Sequence, residues 1–319
     1  MTRPLLFALL CFLTAQKTPC QKIEQYFDYR WQPAKAANAR FYTLTEKTDS
    51  GWHSRTYYLH SLILKTEGLY ADSTRKNPSG AFRSFHPSRI IATAGKYNNG
   101  KKQGPWISYY SDGSVEDSTV YDNDNPVGIR QSWYRNGYPM DSCHYNADGS
   151  GVQIGWFDNG APSFAGRYAP GYKKTGKWKY FYREGGTSAQ ETYDIQGKLL
   201  DKRYFSEKGA TLTDTTIADK GAEFPGGWNT WSKYLAGSLY LPDQYRTPGG
   251  DPAAVVIEVT VDETGRVVEA EVAIPFYPAF DKIALEAVRT SPVWLPAVEH
   301  NRQVRNTIRI PVVFTLPGK

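Results

Sequence analysis

Along the last third of the chain, apolar and polar residues alternate regularly enough to predict its elements. Val255, Ile257, Val259 and Val261 alternate with Val256, Glu258, Thr260 and Asp262, the period of two of a strand that buries one face. Glu263-Thr264-Gly265 then turns the chain, and Val268, Ala270, Val272 and Ile274 repeat the alternation. The pair predicts a hairpin in which Gly265 supplies the positive φ of a tight loop. Pro278 can open a helix, in which Phe280, Ile283, Ala284, Ala287 and Val288 fall on one apolar stripe that covers the sheet. A final strand places Val304, Ile308, Ile310, Val312, Phe314 and Leu316 on one face and Arg305, Thr307, Arg309 and Thr315 on the other, with Asn306 as the polar exception.

Chain direction fixes the order of these strands. The helix returns the chain along the hairpin, so the last strand runs antiparallel to the first and neighbours it, giving the order second, first, third. Pro311 has no amide hydrogen and fits a sheet where that hydrogen would have pointed to solvent, which also puts the last strand at an edge. The backbone groups of Arg305, Thr307 and Arg309 then face outward with that of Pro311, where a partner strand can pair.

The middle of the chain is a repeat. From Gly104, Gly128, Gly151 and Gly176, aromatic pairs recur at a fixed offset: Tyr109-Tyr110, Trp133-Tyr134, Trp156-Phe157 and Phe181-Tyr182. Gly113, Gly137, Gly160 and Gly185 follow, each preceded by Asp, Asn or Glu, and then Tyr121, Tyr145, Tyr168 and Tyr193. A weaker copy begins at Gly80, and Tyr57-Tyr58 with Tyr70 suggests one slipped by a residue. A period of about 24 residues with Asp-Gly or Asn-Gly after an aromatic pair predicts one β-hairpin per repeat, laid side by side in a single layer. Equivalent rings then stand roughly 10 Å apart. Tyr109, Trp133, Trp156 and Phe181 are candidate binding residues of an extended face; the alternative, favoured for any single ring, is that the aromatics only hold the array together.

Two resemblances follow from these residues. Phe224-Pro225-Gly226-Gly227 opening a helix with Trp228, Trp231, Leu235 and Leu239, then Leu241-Pro242, the valine strand and its Asp-x-x-Gly turn, Ser291-Pro292-Val293-Trp294-Leu295-Pro296 and Ile310-Pro311-Val312-Val313-Phe314, resemble the TonB C-terminal domain family. His300-Asn301-Arg302 departs from it, since a glycine usually sits in that turn; Asn301 can adopt the left-handed conformation instead. The resemblance implies a last strand that receives an extended segment of an outer-membrane transporter by strand addition, with Gln303, Val304, Arg305, Asn306, Thr307, Ile308 and Arg309 as candidate contacts. It leaves open a homodimer through the same domain. The middle resembles MORN-type repeats of the YwqK-like antitoxin variety, a likeness of shape more than of activity.

At the N-terminus, Arg3 precedes an apolar run from Pro4 to Ala15, about 18 Å as a helix against roughly 30 Å of hydrocarbon. Residues 1–16 read as a secretory signal peptide, and neither Cys11 nor Cys20 follows a lipobox. Export to the periplasm or cell envelope follows. The other reading keeps this segment as an anchor and makes the chain a TonB-type energy transducer for transport across the outer membrane. Residues 21–208 hold the repeats, most clearly 80–205. The Thr-rich stretch 209–223 reads as a flexible linker that sets the reach of a C-terminal domain at 224–319. The expected fold is mainly β: a single-layer hairpin array, then a small α+β domain with a three-stranded antiparallel sheet and two helices.

A formal charge of +6 with one lysine cluster, Lys173, Lys174, Lys177 and Lys179, does not make the basic face that nucleic-acid binding needs. The sequence contains no Gly-x-Ser-x-Gly, phosphate loop, His-Glu-x-x-His or Cys-x-x-Cys. His144 beside Cys143 points to the opposite face of a strand, which is poor geometry for a thiol pair. Asp122, Asp124 and Asn125 lack the glycine and distal glutamate of a calcium loop and read as turn residues. A Cys20–Cys143 disulfide is allowed in an oxidising compartment but is not the expected state. The expectation is a non-enzymatic envelope adaptor whose partner is an envelope protein, without metal, nucleic acid or small-molecule cofactor.

Overall fold

The computed structural model describes residues 21–240 and 253–314. Residues 1–16, on which the signal-peptide expectation falls, and Cys20, Leu241-Pro242, Thr315 and Leu316 lie outside the described residues. Residues 22–212 form one antiparallel meander of sixteen strands, from β1 (Lys22–Phe27) to β16 (Thr211–Leu212), each paired with its neighbours in sequence. The repeated glycines and tyrosines are cross-strand partners: Gly80 faces Tyr97, Gly104 faces Tyr121, Gly128 faces Tyr145, Gly151 faces Tyr168 and Gly176 faces Tyr193. The loop glycines Gly113, Gly137, Gly160 and Gly185 have φ between +82° and +101°. Each donates its N–H to the carbonyl of the second aromatic of its pair, at 2.8–3.0 Å. Asn123 and Asp124, both left-handed at φ +51° and +70°, make the tight turn that joins two hairpins.

A single-layer sheet has no second layer to bury its rings, so they lie flat on glycine. A Cβ on Gly95 would meet the Trp106 indole at 2.2 Å, one on Gly155 the Phe164 ring at 2.2 Å, and one on Gly166 the Trp178 indole at 2.1 Å. Only a missing side chain lets the ring approach its neighbouring strand this closely. Trp178, Tyr180, Ala189 and Tyr204 form a buried cluster in the array.

The C-terminal domain contains α1 (Gly227–Ser238), β17 (Ala253–Val261), β18 (Val267–Ile274), α2 (Pro278–Arg289), β19 (Ala297–Glu299), β20 (Arg302–Val304) and β21 (Asn306–Phe314). Its three-stranded sheet has the expected order β18-β17-β21, with α2 and α1 packed on the face of Val255, Ile257, Val259 and Val261. Three details depart from the sequence reading. A bulge between Thr260 and Val261 shifts the return strand, so Val267 packs on the core and Val268 is exposed. In α1, Trp231 and Leu235 are buried, but Trp228 is 64% exposed. The last strand does not run unbroken from Val304, because Arg302–Val304 pairs with Ala297–Glu299 as a separate hairpin and β21 starts only at Asn306.

The end of the 209–223 stretch is bonded to the C-terminal domain that follows it. Lys220 and Val298 exchange backbone hydrogen bonds, as do Glu223 and Leu295, and the His300 amide donates to Asp219 at 2.9 Å. The domain lies against one face of the array.

Candidate docking edge and interdomain cleft

β21 forms the outer edge of its sheet, and among the described residues no backbone group pairs with its free side. Thr307, Arg309 and Pro311 are exposed opposite Thr260, Glu258 and Val256, while Ile308, Ile310 and Val312 turn to the core. Pro311 occupies a pair that tolerates a missing N–H, so by alternation the backbone groups of Thr307 and Arg309 are on the free side with its own.

The sequence-derived contacts therefore separate into two groups. Asn306, Thr307, Ile308 and Arg309 lie on β21, with the Asn306 side-chain oxygen accepting the Ala222 amide at 3.2 Å. Gln303, Val304 and Arg305 do not lie on it. Gln303 and Val304 belong to β20, and Val304 is buried. Arg305 spans to the array, bonding Asp158 at 2.9 Å and Glu269 at 3.0 Å. The chain leaves the edge there because these residues serve the interdomain contact.

Beside the edge, a crevice of about 70 Å³ is lined by Phe224, Trp228, Trp231, Ile308 and Ile310. This explains the exposed Trp228, which forms its rim. On the opposite face, Glu258, Thr260, Thr307 and Arg309 line a cleft of about 1120 Å³ whose far wall is the array, including Trp31, Tyr58, Lys65 and Tyr134. The Lys65 ammonium lies over the rings of Trp31, Phe41 and Tyr58 at 5.8, 5.7 and 5.2 Å. Burial, and then the Arg309 charge, lowers its pKa to about 8. On the same wall, burial and the Glu258 carboxylate across the cleft raise that of Glu116. Arg309→Ala removes a like charge that disfavours the ammonium, so the Lys65 midpoint should rise; an unchanged midpoint in an NMR titration would show that Arg309 has no influence there. Lys65, Glu116 and Trp228 carry no sequence signal of proximity, because each reaches the region through the packing of distant segments.

Each ring of the row Tyr109, Trp133, Trp156 and Phe181 is half-buried beside a register shift at its hairpin mouth. The carbonyls of Tyr109, Trp133 and Trp156 accept bonds from the preceding repeat. His86 Nε2 lies 2.7 Å from Tyr109 O, the Tyr110 hydroxyl donates to Trp133 O at 2.7 Å, and the Tyr134 hydroxyl donates to Trp156 O at 2.9 Å. The Tyr182 hydroxyl continues the ladder to Phe205 O at 2.8 Å.

The C-terminal domain meets the array along this ladder. The His300 ring stacks on Tyr180 with centroids 3.5 Å apart, and its Nδ1 lies 3.2 Å from Glu191. Burial alone would raise the Glu191 pKa, but hydrogen bonds with His300 and Tyr193 and the nearby Lys174 outweigh it and hold the carboxyl at about 2. Farther along, Arg135 pairs with Glu269 and Glu271, and Arg183 with Glu263. Among the described residues, no helix is long and apolar enough to cross a membrane, and no cluster of three or more His, Cys, Asp or Glu could hold a metal ion. Cys143 is buried.

No curated protein matches the chain. Residues 250–316, which span the hairpin, α2 and β21 but not α1, match the family described as Gram-negative bacterial TonB protein C-terminal.

Proposed function

We propose that this chain is a non-enzymatic cell-envelope adaptor whose C-terminal domain takes up an extended segment of an envelope protein, of the outer-membrane transporter type, along the free side of β21. The unpaired edge carries this reading: its backbone donors and acceptors are satisfied by an added strand at no cost to the existing sheet. Two features support it. Alternate side chains of an added strand would face the crevice at Trp228 and the cleft at Arg309, so the two faces offer different selectivity. The family match covers the strand concerned. The array then holds the domain in position, with its aromatic rows serving chiefly as its own scaffold.

The test is titration of the isotope-labelled full chain with short synthetic peptides copying extended segments of outer-membrane transporters. Amide shifts are expected at Thr307 and Arg309, and Trp228→Ala should weaken the response. Amide shifts absent from residues 306–310 at saturating peptide would reject strand addition.

A further inference from the structure

Between His86 and Tyr182 the ladder has one gap. In successive repeats, the second aromatic position holds His86, Tyr110, Tyr134, Phe157 and Tyr182, and all but Phe157 reach the carbonyl of the next repeat. Phe157 is buried and has no hydroxyl, so the corresponding acceptor, Phe181 O, would go unsatisfied by the array itself. It is the Arg302 guanidinium that donates to Phe181 O. The same group donates to Ser163 O at 2.5 Å and to the Ser163 hydroxyl at 3.0 Å, and lies over the Phe157 ring at 5.1 Å. Arg302 is 7% exposed, an unusual depth for an arginine.

The adjacent residue reads the next rung. The Asn301 side-chain amide donates to the Tyr182 hydroxyl at 3.0 Å and to Phe205 O at 2.9 Å. His300 and Asn301 adopt left-handed conformations, φ +51° and +63°, to present these side chains. A glycine in this turn would fit the backbone and offer nothing to the array.

We propose that Arg302 is a key fitted to the missing hydroxyl at Phe157, and that this match fixes the C-terminal domain on the array in one register. Among the rungs from His86 to Tyr182, only the one at Phe157 lacks a ladder donor and leaves its acceptor to a guanidinium. At the other four a hydroxyl or imidazole of the array already occupies the carbonyl. The key therefore selects one repeat among similar neighbours, and so fixes where β21 stands against the array. Losing it leaves the register to the remaining ion pairs and to His300 and Asn301, so the 302–304 segment loosens from the array.

Phe157→Tyr tests this directly, since it restores the hydroxyl, fills Phe181 O and displaces the guanidinium. The readout is tryptic cleavage after Arg302 in the full chain, followed by mass spectrometry at early times. Exposed lysines and arginines in the same digest serve as internal controls. Cleavage at Arg302 is expected to rise roughly tenfold or more, the scale set by losing a charge-assisted hydrogen bond, with the controls unchanged. Phe157→Leu adds no hydroxyl and should leave Arg302 protected. Unchanged cleavage in Phe157→Tyr overturns the proposal. So does a rise spread over all sites, or one matched by Phe157→Leu, because either reports general loosening instead of eviction of the key.

Discussion

Trp178→Ala is expected to destabilise the hairpin array by about 3–5 kcal/mol, the usual cost of emptying a buried aromatic site. Trp178 is 2% exposed, its indole N–H donates to Arg167 O at 3.0 Å, and its ring meets Tyr168 edge-on at 5.1 Å. In a single layer no opposing sheet can collapse into the hole, so relaxation recovers little. The measurement is urea unfolding followed by circular dichroism; a loss below about 1 kcal/mol would show that the rings are ornaments on a self-sufficient ladder. Gly166→Ala attacks the same contact from the other side, placing a methyl 2.1 Å from the indole. It should cost about 1–3 kcal/mol alone and much less in a Trp178→Ala background, where the methyl has space. Additive effects would mean that the two residues do not share one packing site.

The second large effect is expected from Gly265→Ala in the C-terminal domain. Gly265 adopts φ +85°, which costs an alanine about 1–2 kcal/mol. Its added Cβ would also lie 2.0 Å from the Trp294 carbonyl oxygen, a backbone atom that cannot move without disturbing the Trp294 N–H bond to Gly265 O at 2.8 Å. The combined loss is on the order of 3 kcal/mol or more, concentrated in the domain that carries β21. Thermal unfolding followed through the tryptophans checks it. A Gly265→Ala chain as stable as the parent would mean that the turn and the 293–294 segment can separate freely.

Period-two alternation revealed the hairpin of β17 and β18, and Pro311 placed β21 at the edge of the predicted order. Gly104 and Tyr121, at fixed positions within one repeat unit, proved to be partners across a ladder. The strand carrying the candidate site was therefore legible, because strand periodicity and a missing N–H are local properties. The errors came where local pattern competes with distant packing. Val268 continues the alternation on paper, but a bulge rotates it into solvent. Arg305 extends the polar face of the last strand in sequence, yet Asp158, 147 residues away, draws it into the interdomain contact.

What the sequence alone determined is the set of elements and their order: repeated hairpins, a small α+β domain and an edge strand marked by proline. Each follows from backbone geometry and from which residues bury one face. Only the tertiary structure decided that the domain lies on the array, that Lys65 and Trp228 flank the edge, and that Arg302 completes the rung Phe157 leaves open. Such matches join residues far apart in the chain, and a hydrogen-bond acceptor left over in one repeat has no trace in the spacing of another.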